Sequence, residues 1–284
     1  MAALILPRRL YSQPQGIVAV DDSAPYRESL SLAFSCAGQP FDTISQRYLT
    51  SNGTSGGNTP GVAGVAKAYL NSTSSMDRGS GFVTPAHPSN TRRQYTVLAL
   101  LETTDTTNGD YHWSFGGTAG GVDYMGLRGG GAATSVQASW GQAANITYSG
   151  VPDWCDGRPH VIAMMWLTSN DRRLFIDGVQ VGQSTNGLAF PNAYEHVGIG
   201  GLNRNSSELP MATKVYGLLA YNEAIDVTYL REMGTPDGFW RTFRAKPHVL
   251  YFDVTAAPSV PTLSSAMATS ITATSAVPQV TLTF

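Results

Sequence analysis

Residues 160–181 read HVIAMMWLTSNDRRLFIDGVQV. Val161, Ala163 and Met165 alternate with Ile162, Met164 and Trp166, so a strand here is apolar on both faces. Such a strand belongs inside a sheet that is covered on both sides, since a half-solvated strand carries polar residues at every second position. Leu174-Phe175-Ile176 then runs into Asp177-Gly178, and the chain leaves as Val179-Gln180-Val181. A tight primed turn needs positive φ at its two central residues, and Asp-Gly supplies it, so this stretch predicts a hairpin. Further out, Leu30, Leu32 and Phe34 alternate as a first strand, and residues 95–101 form another strand that is apolar on both faces. Gly-rich punctuation from 108 to 150 separates short runs around Trp113-Phe115, residues 124–127 and residues 136–140. Residues 50–60 (TSNGTSGGNTP) and 71–81 read as flexible loops. One short helix is predicted over 225–233, with Asp226 as its cap and Gly234 as its terminator.

Asp156-Gly157-Arg158 and His160 leading into a central strand, followed by a strand ending in Asp177-Gly178, resemble the laminin-G-like, concanavalin A-like jelly roll. Val197-Gly198-Ile199-Gly200-Gly201 and the run 215–221 (VYGLLAY) are similar to the closing strands of that family. The resemblance spans roughly residues 26–254 and is strongest over 154–233. It implies an all-β jelly-roll β-sandwich, with His160 in a hydrogen-bonding role at the strand entry. The same fold hosts lectins, hydrolases and inert structural modules, so function has to be argued from a site.

Bulk properties exclude several classes. A sandwich can fill about 200–250 residues as a single domain, and a chain of 284 residues can bury a core without metals or disulfides. A net charge of −2 gives no electrostatic footprint for nucleic acid or an anionic membrane. Charged residues make up 13% of the chain, against about 25% in an average domain, and 15 of the 18 basic residues are Arg. Arg tolerates burial at interfaces better than Lys, which is compatible with contacts to other proteins, although a G+C-rich genome explains the excess equally well. Cys36 and Cys155 make neither a disulfide framework nor a metal-ligand spacing and read as reduced core residues. The opening MAALILPRRL has too short an apolar stretch for a secretory leader, and its Arg pair follows that stretch, so synthesis in a bacterial-type cytosol is expected. The sequons at Asn71 and Asn145 carry no weight in that setting. No segment reaches the ~20 apolar residues of a membrane span.

The chain divides into an extended arm (1–25), the sandwich (26–254) and a Ser/Thr/Val/Pro-rich tail (255–284). Pro7, Pro14 and Pro25 interrupt the arm, while Ile17-Val18-Ala19-Val20 makes it apolar enough to need a docking partner, either its own sandwich or a neighbour. In the tail, 271–274 (ITAT) and 280–284 (VTLTF) are strong β-formers, able to add a strand to a sheet edge of their own or another chain. The opening Leu6-Pro7-Arg8-Arg9-Leu10-Tyr11-Ser12-Gln13-Pro14, the stretch 235–252 (TPDGFWRTFRAKPHVLYF) and the tail resemble tailed-phage virion proteins built on this jelly roll. Pro236-Asp237-Gly238 stands where those proteins carry an Asn-Pro turn.

Hydrolytic chemistry finds no support. A retaining glycosidase of this fold needs two carboxylates about 5–5.5 Å apart, supplied by a Glu-x-Asp-x-x-Glu strand. None of the six Glu residues begins that motif, and Glu102 and Asp105, in a Thr-rich context, read as surface loop residues. The five His are scattered without metal-binding spacing, and no Gly-x-Ser-x-Gly elbow occurs. The glycine pairs lie between strands and do not open a helix, so they are turns and not phosphate cradles.

Two binding surfaces are therefore expected. One is a protein interface made of Pro7, Arg8, Arg9 and Tyr11 in the arm, the aromatics Phe239, Trp240 and Phe243, and Val280, Leu282 and Phe284 in the tail. The other is a carbohydrate-binding rim of the kind jelly-roll lectins use, with a stacking aromatic and possible Ca²⁺. Asp105, Asn108 and Asp110 with Tyr111 and Trp113 are one candidate for it, and Asp153, Trp154 and Asp156 are another. The first surface predicts a non-enzymatic virion protein, a capsid decoration or cementing protein assembled in the host cytoplasm. It would bind the major capsid protein or other virion proteins as a homo-oligomer, a trimer by the unpaired tail. The alternative is a lectin-like module of a tail fibre or capsid surface that binds glycan.

Overall fold

The structure is a computed structural model. It describes residues 18–35, 41–48, 50–52, 58–61, 63–69, 73–77, 94–108, 110–116, 124–140, 145–188, 196–203, 207–208, 212–245, 250–251, 271–273 and 279–282. Two antiparallel sheets carry nearly all of the regular structure. From one edge, the ten-stranded sheet runs Val179–Ser184, Asp171–Ile176, Pro159–Thr168, Tyr95–Glu102, Thr213–Tyr221, Leu30–Ser35, Phe41–Asp42 and Arg47–Tyr48. Gly64–Tyr69 also pairs with the start of Thr213–Tyr221, and Asn58–Gly61 pairs with Gly64–Tyr69. The seven-stranded sheet runs Asn145–Ser149, Ser135–Trp140, Tyr124–Gly129, Tyr111–Gly116, His196–Ile199, Thr73–Asp77 and Thr50–Asn52. Strands therefore occupy part of 50–60 and 71–81, where loops were expected. Their Thr/Ser/Asn/Gly composition has no apolar alternation to announce a strand, and pairing with neighbours holds them instead.

Alternation decides the layering. Ile162, Met164 and Trp166 face the seven-stranded sheet and share one core with Val97, Ala99, Phe115, Met125 and Trp140. Val161, Ala163 and Met165 face the other way, into a second core with Leu98, Leu100 and Phe175. The central strands are thus covered on both sides, as their sequence predicts. The predicted hairpin is present too: Ile176 pairs with Val179, and Asp177 and Gly178 have φ of 51° and 76°. Gly178 is required for a second reason, since a Cβ there would stand 2.7 Å from the backbone of Arg231.

The second core is sealed by the helix Val227–Met233, capped by Asp226 on the Thr228 amide, and by the short helix Pro236–Trp240. Phe239, Trp240 and Phe243 are buried in it, with the Trp240 indole donating to the Ala63 carbonyl at 3.0 Å. These three aromatics are therefore not the exposed interface expected of them; an outer sheet face this apolar must be covered, and they cover it. The arm also needs correction. Val18–Val20 forms a two-stranded ladder with the strand that begins at Phe243, and Val18, Val20 and Ala24 are buried in the second core. Residues 18–25 thus belong to the sandwich. Pro7, Arg8, Arg9 and Tyr11 lie outside the described residues, as do Cys36 and Phe284.

The chain forms two compact units, Met1–Arg244 and Ala245–Phe284. The boundary falls before the expected 254 because Leu250–Tyr251 pairs with the tail. In the second unit Gln279–Leu282 lies between Leu250–Tyr251 and Ile271–Ala273, with Val280 opposite Leu250 and Ala273. The strand carrying Val280 and Leu282 thus finds its partners in its own chain, while Leu250–Tyr251 and Ile271–Ala273 form the edges of that sheet. Among the described residues no helix is long and apolar enough to cross a membrane.

Candidate functional site

The two candidate rims meet at one end of the sandwich. The Gly157 amide donates to the Thr103 carbonyl at 3.1 Å, and the buried, free Cys155 thiol donates to the Asp105 carbonyl at 3.6 Å. Asp105 is occupied within the rim: Oδ1 accepts from the Thr107 amide and hydroxyl at 2.9 and 2.6 Å, and Oδ2 accepts from the Ala212 amide at 3.1 Å. Burial opposes its charge, but these hydrogen bonds outweigh burial and hold the carboxyl below its usual range. Asp110 goes the other way, raised by burial and by the charge of Asp105 against a partial offset from Arg128. Among the described residues there is no group of three or more His, Cys, Asp or Glu side chains able to hold a metal ion, so no Ca²⁺ ligand set assembles from Asp105, Asp110, Asp153 and Asp156.

The aromatics expected to stack on sugar are buried. Trp113 and Trp154 are 0% exposed and Tyr111 is 1% exposed. The Trp154 indole donates to the Ser135 carbonyl at 3.1 Å and stands edge-on to His112. Trp113 packs in the inter-sheet core with Phe115. Tyr111 and Trp113 are two residues apart, but a bulge at His112 sets Tyr111 opposite Arg128 and Trp113 opposite Leu127. Neighbouring partners place the two rings on opposite faces, which simple alternation does not reveal. His160 takes the hydrogen-bonding role expected of it: Nδ1 lies 2.7 Å from Asp177 Oδ2 and Nε2 lies 3.1 Å from Asp156 Oδ1. Glu102 is buried and not in a loop. It ends its strand facing the outer side of the ten-stranded sheet, where it accepts from Lys214 Nζ and from the Tyr216 hydroxyl, the latter at 2.5 Å.

A polar surface remains on the outer face of the seven-stranded sheet. With Met125, Leu127, Val136, Ala138, Ile146 and Tyr148 facing inward, alternation sends Tyr124, Gly126, Arg128, Gln137, Ser139, Asn145 and Thr147 outward. Register aligns Ser114, Gly126, Ser139 and Asn145 in one cross-strand row, and Arg128, Gln137 and Thr147 in the next. The first row is small enough for the Tyr111 ring to lie across it: a Cβ on Gly126 would stand 2.8 Å from that ring and 2.3 Å from the Trp113 carbonyl oxygen. The Tyr111 hydroxyl bonds Ser139 Oγ at 2.9 Å, and Ser139 donates to Asn145 Oδ1 at 2.5 Å. The Arg128 guanidinium lies over the ring, 4.8 Å from its centroid, and Tyr124 meets it edge-on. In the second row Gln137 Nε2 donates to Thr147 Oγ1 at 2.9 Å.

The face thus presents a guanidinium, amides and hydroxyls held in fixed directions by a buried tyrosine. Asn145 and Thr147 are exposed, and Arg128 and Gln137 are half-buried. Planar amides and guanidinium, which pair with neighbouring hydroxyls, are the groups that recognise a polyol. Neither of the expected rims includes these residues. Their signal lies in the polar alternation of SVQASW and NITYS, residues 135–140 and 145–149.

No protein-family model matches the chain, and no curated protein matches it in sequence. Solved structures do. Domain 4 of the extracellular arabinanase AbnA from Geobacillus stearothermophilus, in complex with arabinotriose, is 17% identical with a TM-score of 0.55 over 73% of this chain and 98% of that one. A sialidase of Trypanosoma rangeli, held as a covalent intermediate with a difluorosialic acid, is 14% identical with a TM-score of 0.50 over 72% of this chain and 33% of the sialidase. A botulinum neurotoxin type C structure, from work on its dependence on two ganglioside molecules, is 7% identical with a TM-score of 0.50 over 72% of this chain and 50% of that one. The chain thus spans half or less of the sialidase and neurotoxin chains. At these identities the likeness concerns fold: this chain is an all-β antiparallel sandwich of the same architecture.

Proposed function

We propose that this chain is a non-catalytic carbohydrate-binding β-sandwich that takes its ligand on the outer face of the seven-stranded sheet. The observation that carries the reading is the contrast in covering. Helices and aromatics close the outer face of the ten-stranded sheet, while the other outer face carries Arg128, Gln137, Asn145 and Thr147 over an immobilised Tyr111. Arabinotriose in the arabinanase domain and gangliosides in the neurotoxin work are ligands of proteins with this architecture, which supports the class of ligand without naming the sugar. The non-catalytic part of the reading is supported by the carboxylates: Glu102 is engaged by Lys214 and Tyr216, and Asp105 by amides and Thr107. Screening the full chain on immobilised glycans, with calcium and with chelator, tests the reading. Retention is expected on at least one glycan class and weakened at least about tenfold by Arg128→Ala, the loss expected when hydrogen bonds from a charged group are removed. Retention unaffected by Arg128→Ala, or none on any glycan, defeats it.

A second reading places this module on a tailed-phage particle, as a decoration protein touching the major capsid protein and copies of itself. It rests on the resemblance of residues 6–14 and 235–252 to such virion proteins, and a second compact unit at the C-terminal end is compatible with it. Copy number in purified virions, by quantitative mass spectrometry against the major capsid protein, tests it. A ratio near that of capsid subunits is expected for decoration, a handful of copies points to the tail, and absence ends the virion reading.

A further inference from the structure

The edge strands Asn145–Ser149 and Val179–Ser184 close one side of the sandwich, with the Tyr148 ring resting where a Cβ on Gly182 would come within 2.1 Å of it. Behind this seam an arginine is sealed into the interior. Arg172 lies on the same strand face as the inward Leu174 and Ile176 and is 1% exposed. One nitrogen is anchored: Nη2 donates to Ser184 Oγ at 3.0 Å and to the Asn186 carbonyl. Nε and Nη1 donate to nothing, and no carboxylate pairs with the guanidinium among the described residues. The adjacent Asp171 is held by Arg173, at 2.9 and 2.7 Å, and by Gln183.

The surroundings add donors. The Tyr148 hydroxyl and Trp140 Nε1 are buried and interact with each other, the indole N–H as donor toward the phenol oxygen, which leaves the Tyr148 O–H free to donate. Both belong to this cluster: Tyr148 interacts electrostatically with Arg172, and the Trp140 ring stands 6.3 Å from Trp166, over which the guanidinium carbon lies at 5.2 Å. Arginine stays protonated in proteins, so this is a buried charge with two unused donors beside the Tyr148 hydroxyl. The Trp166 face offers partial compensation, but ring quadrupoles accept no directed hydrogen bond from Nε or Nη1. A buried charge needs an opposite charge and its donors need acceptors. A group that only accepts and carries one negative charge meets both requirements.

We infer that Arg172, Tyr148 and Trp140 form an internal site for a small monovalent inorganic anion of the chloride class. Held there, the anion ties the edge strand Asn145–Ser149 of one sheet to Asp171–Ile176, the strand next to the edge of the other, so stability becomes linked to anion concentration. Tyr148, packed on Gly182 at the seam, is the side chain that must move to admit it.

Bromide is the probe, titrated into the full chain at fixed ionic strength made up with gluconate, which has the same charge and is too large to enter. Bromide quenches nearby indoles, so a saturable loss of tryptophan fluorescence is expected, with a saturable rise in Tm. Tyr148→Phe removes one donor to a charged group and should weaken the midpoint about tenfold. Arg172→Met should abolish the saturable component; should that variant not fold, the wild-type and Tyr148→Phe curves decide. Linear quenching identical in both proteins, with Tm following ionic strength alone, overturns the site and leaves the aromatic faces as the sole compensation for Arg172.

Discussion

On the ten-stranded sheet the outward residues Leu98, Leu100, Val161, Ala163 and Met165 meet Ile225, Leu230, Phe239 and Trp240; on the seven-stranded sheet the outward row is Ser114, Gly126, Ser139 and Asn145, with Arg128, Gln137 and Thr147 beside it. Both sheets obey the same two-residue alternation. They differ in the second half of the pattern. An apolar second half must find a cover, and this chain supplies one from both ends of its first unit: the segment from Val18 and the helices after Tyr221. A polar second half needs no apolar cover: Ser114, Ser139 and Tyr111 are buried within it, while Asn145 and Thr147 are exposed and Arg128 and Gln137 half-buried, which leaves those four to recognise something else. Sealing one face and leaving the other polar is thus a division of labour written into strand composition.

Substitutions on the two faces should have very different consequences. Trp240→Ala removes a buried indole and its hydrogen bond to Ala63, which should cost about 3–5 kcal/mol in denaturant unfolding. Thr147→Ala on the open face should stay within about 0.5 kcal/mol. Comparable losses at both positions would break the contrast. Gly126→Ala is the intermediate case. Its Cβ would meet both the Trp113 carbonyl and the Tyr111 ring, so overpacking should cost about 1–3 kcal/mol, and near-ultraviolet circular dichroism should report the displaced tyrosine.

A small, pH-dependent stability effect belongs to the clamp at the start of the central strand. His160 is penalised by burial, but its bonds to Asp177 and Asp156 win and raise its pKa above 6.5. A raised His pKa means that the contribution is complete below the unfolded value of 6.5 and is lost as pH rises through the folded value. Asp156 is also opposed by burial, yet it is lowered below 3.8 by its bond to His160 and the Arg158 amide, so its share is lost as pH falls through the folded value. The clamp is therefore strongest between 3.8 and 6.5. His160→Gln should flatten the fall in Tm between pH 6 and 8, removing on the order of 0.5 kcal/mol because the carboxylates are partly solvated. A wild-type Tm that rises over that interval would contradict the assignment.

The fold was legible in the sequence where local chemistry and burial agree. The turn at Asp177-Gly178 and the twofold apolar strand 161–166 needed no tertiary information, and the Asp226 cap and Gly234 stop bounded the helix correctly. The site was less legible, and particular residues show why. A single bulge at His112 separated Tyr111 from Trp113, so aromatic spacing put on one rim two rings that lie on opposite faces of the sheet. Phe239, Trp240 and Phe243 looked exposed because the sheet they cover lies far away in sequence, the Trp240 indole reaching back to Ala63. Glu102 looked like a loop residue in its Thr-rich context, while its two partners sit on a strand more than a hundred residues later. Gln137, Ser139, Asn145 and Thr147 have ordinary surface chemistry. Only register, which sets them beside Arg128 and Tyr111, makes them a surface.

Deuterium exchange of the full chain, free and saturated with a retained glycan, tests most directly that this outer face takes the ligand. Slowed exchange is predicted in peptides covering 124–140 and 145–149, with residues 103–110 and 153–158 of the rim and the helix-covered strands unchanged. Protection confined to the rim, or to the Val18 segment and the helices, would contradict the account and move the binding surface elsewhere.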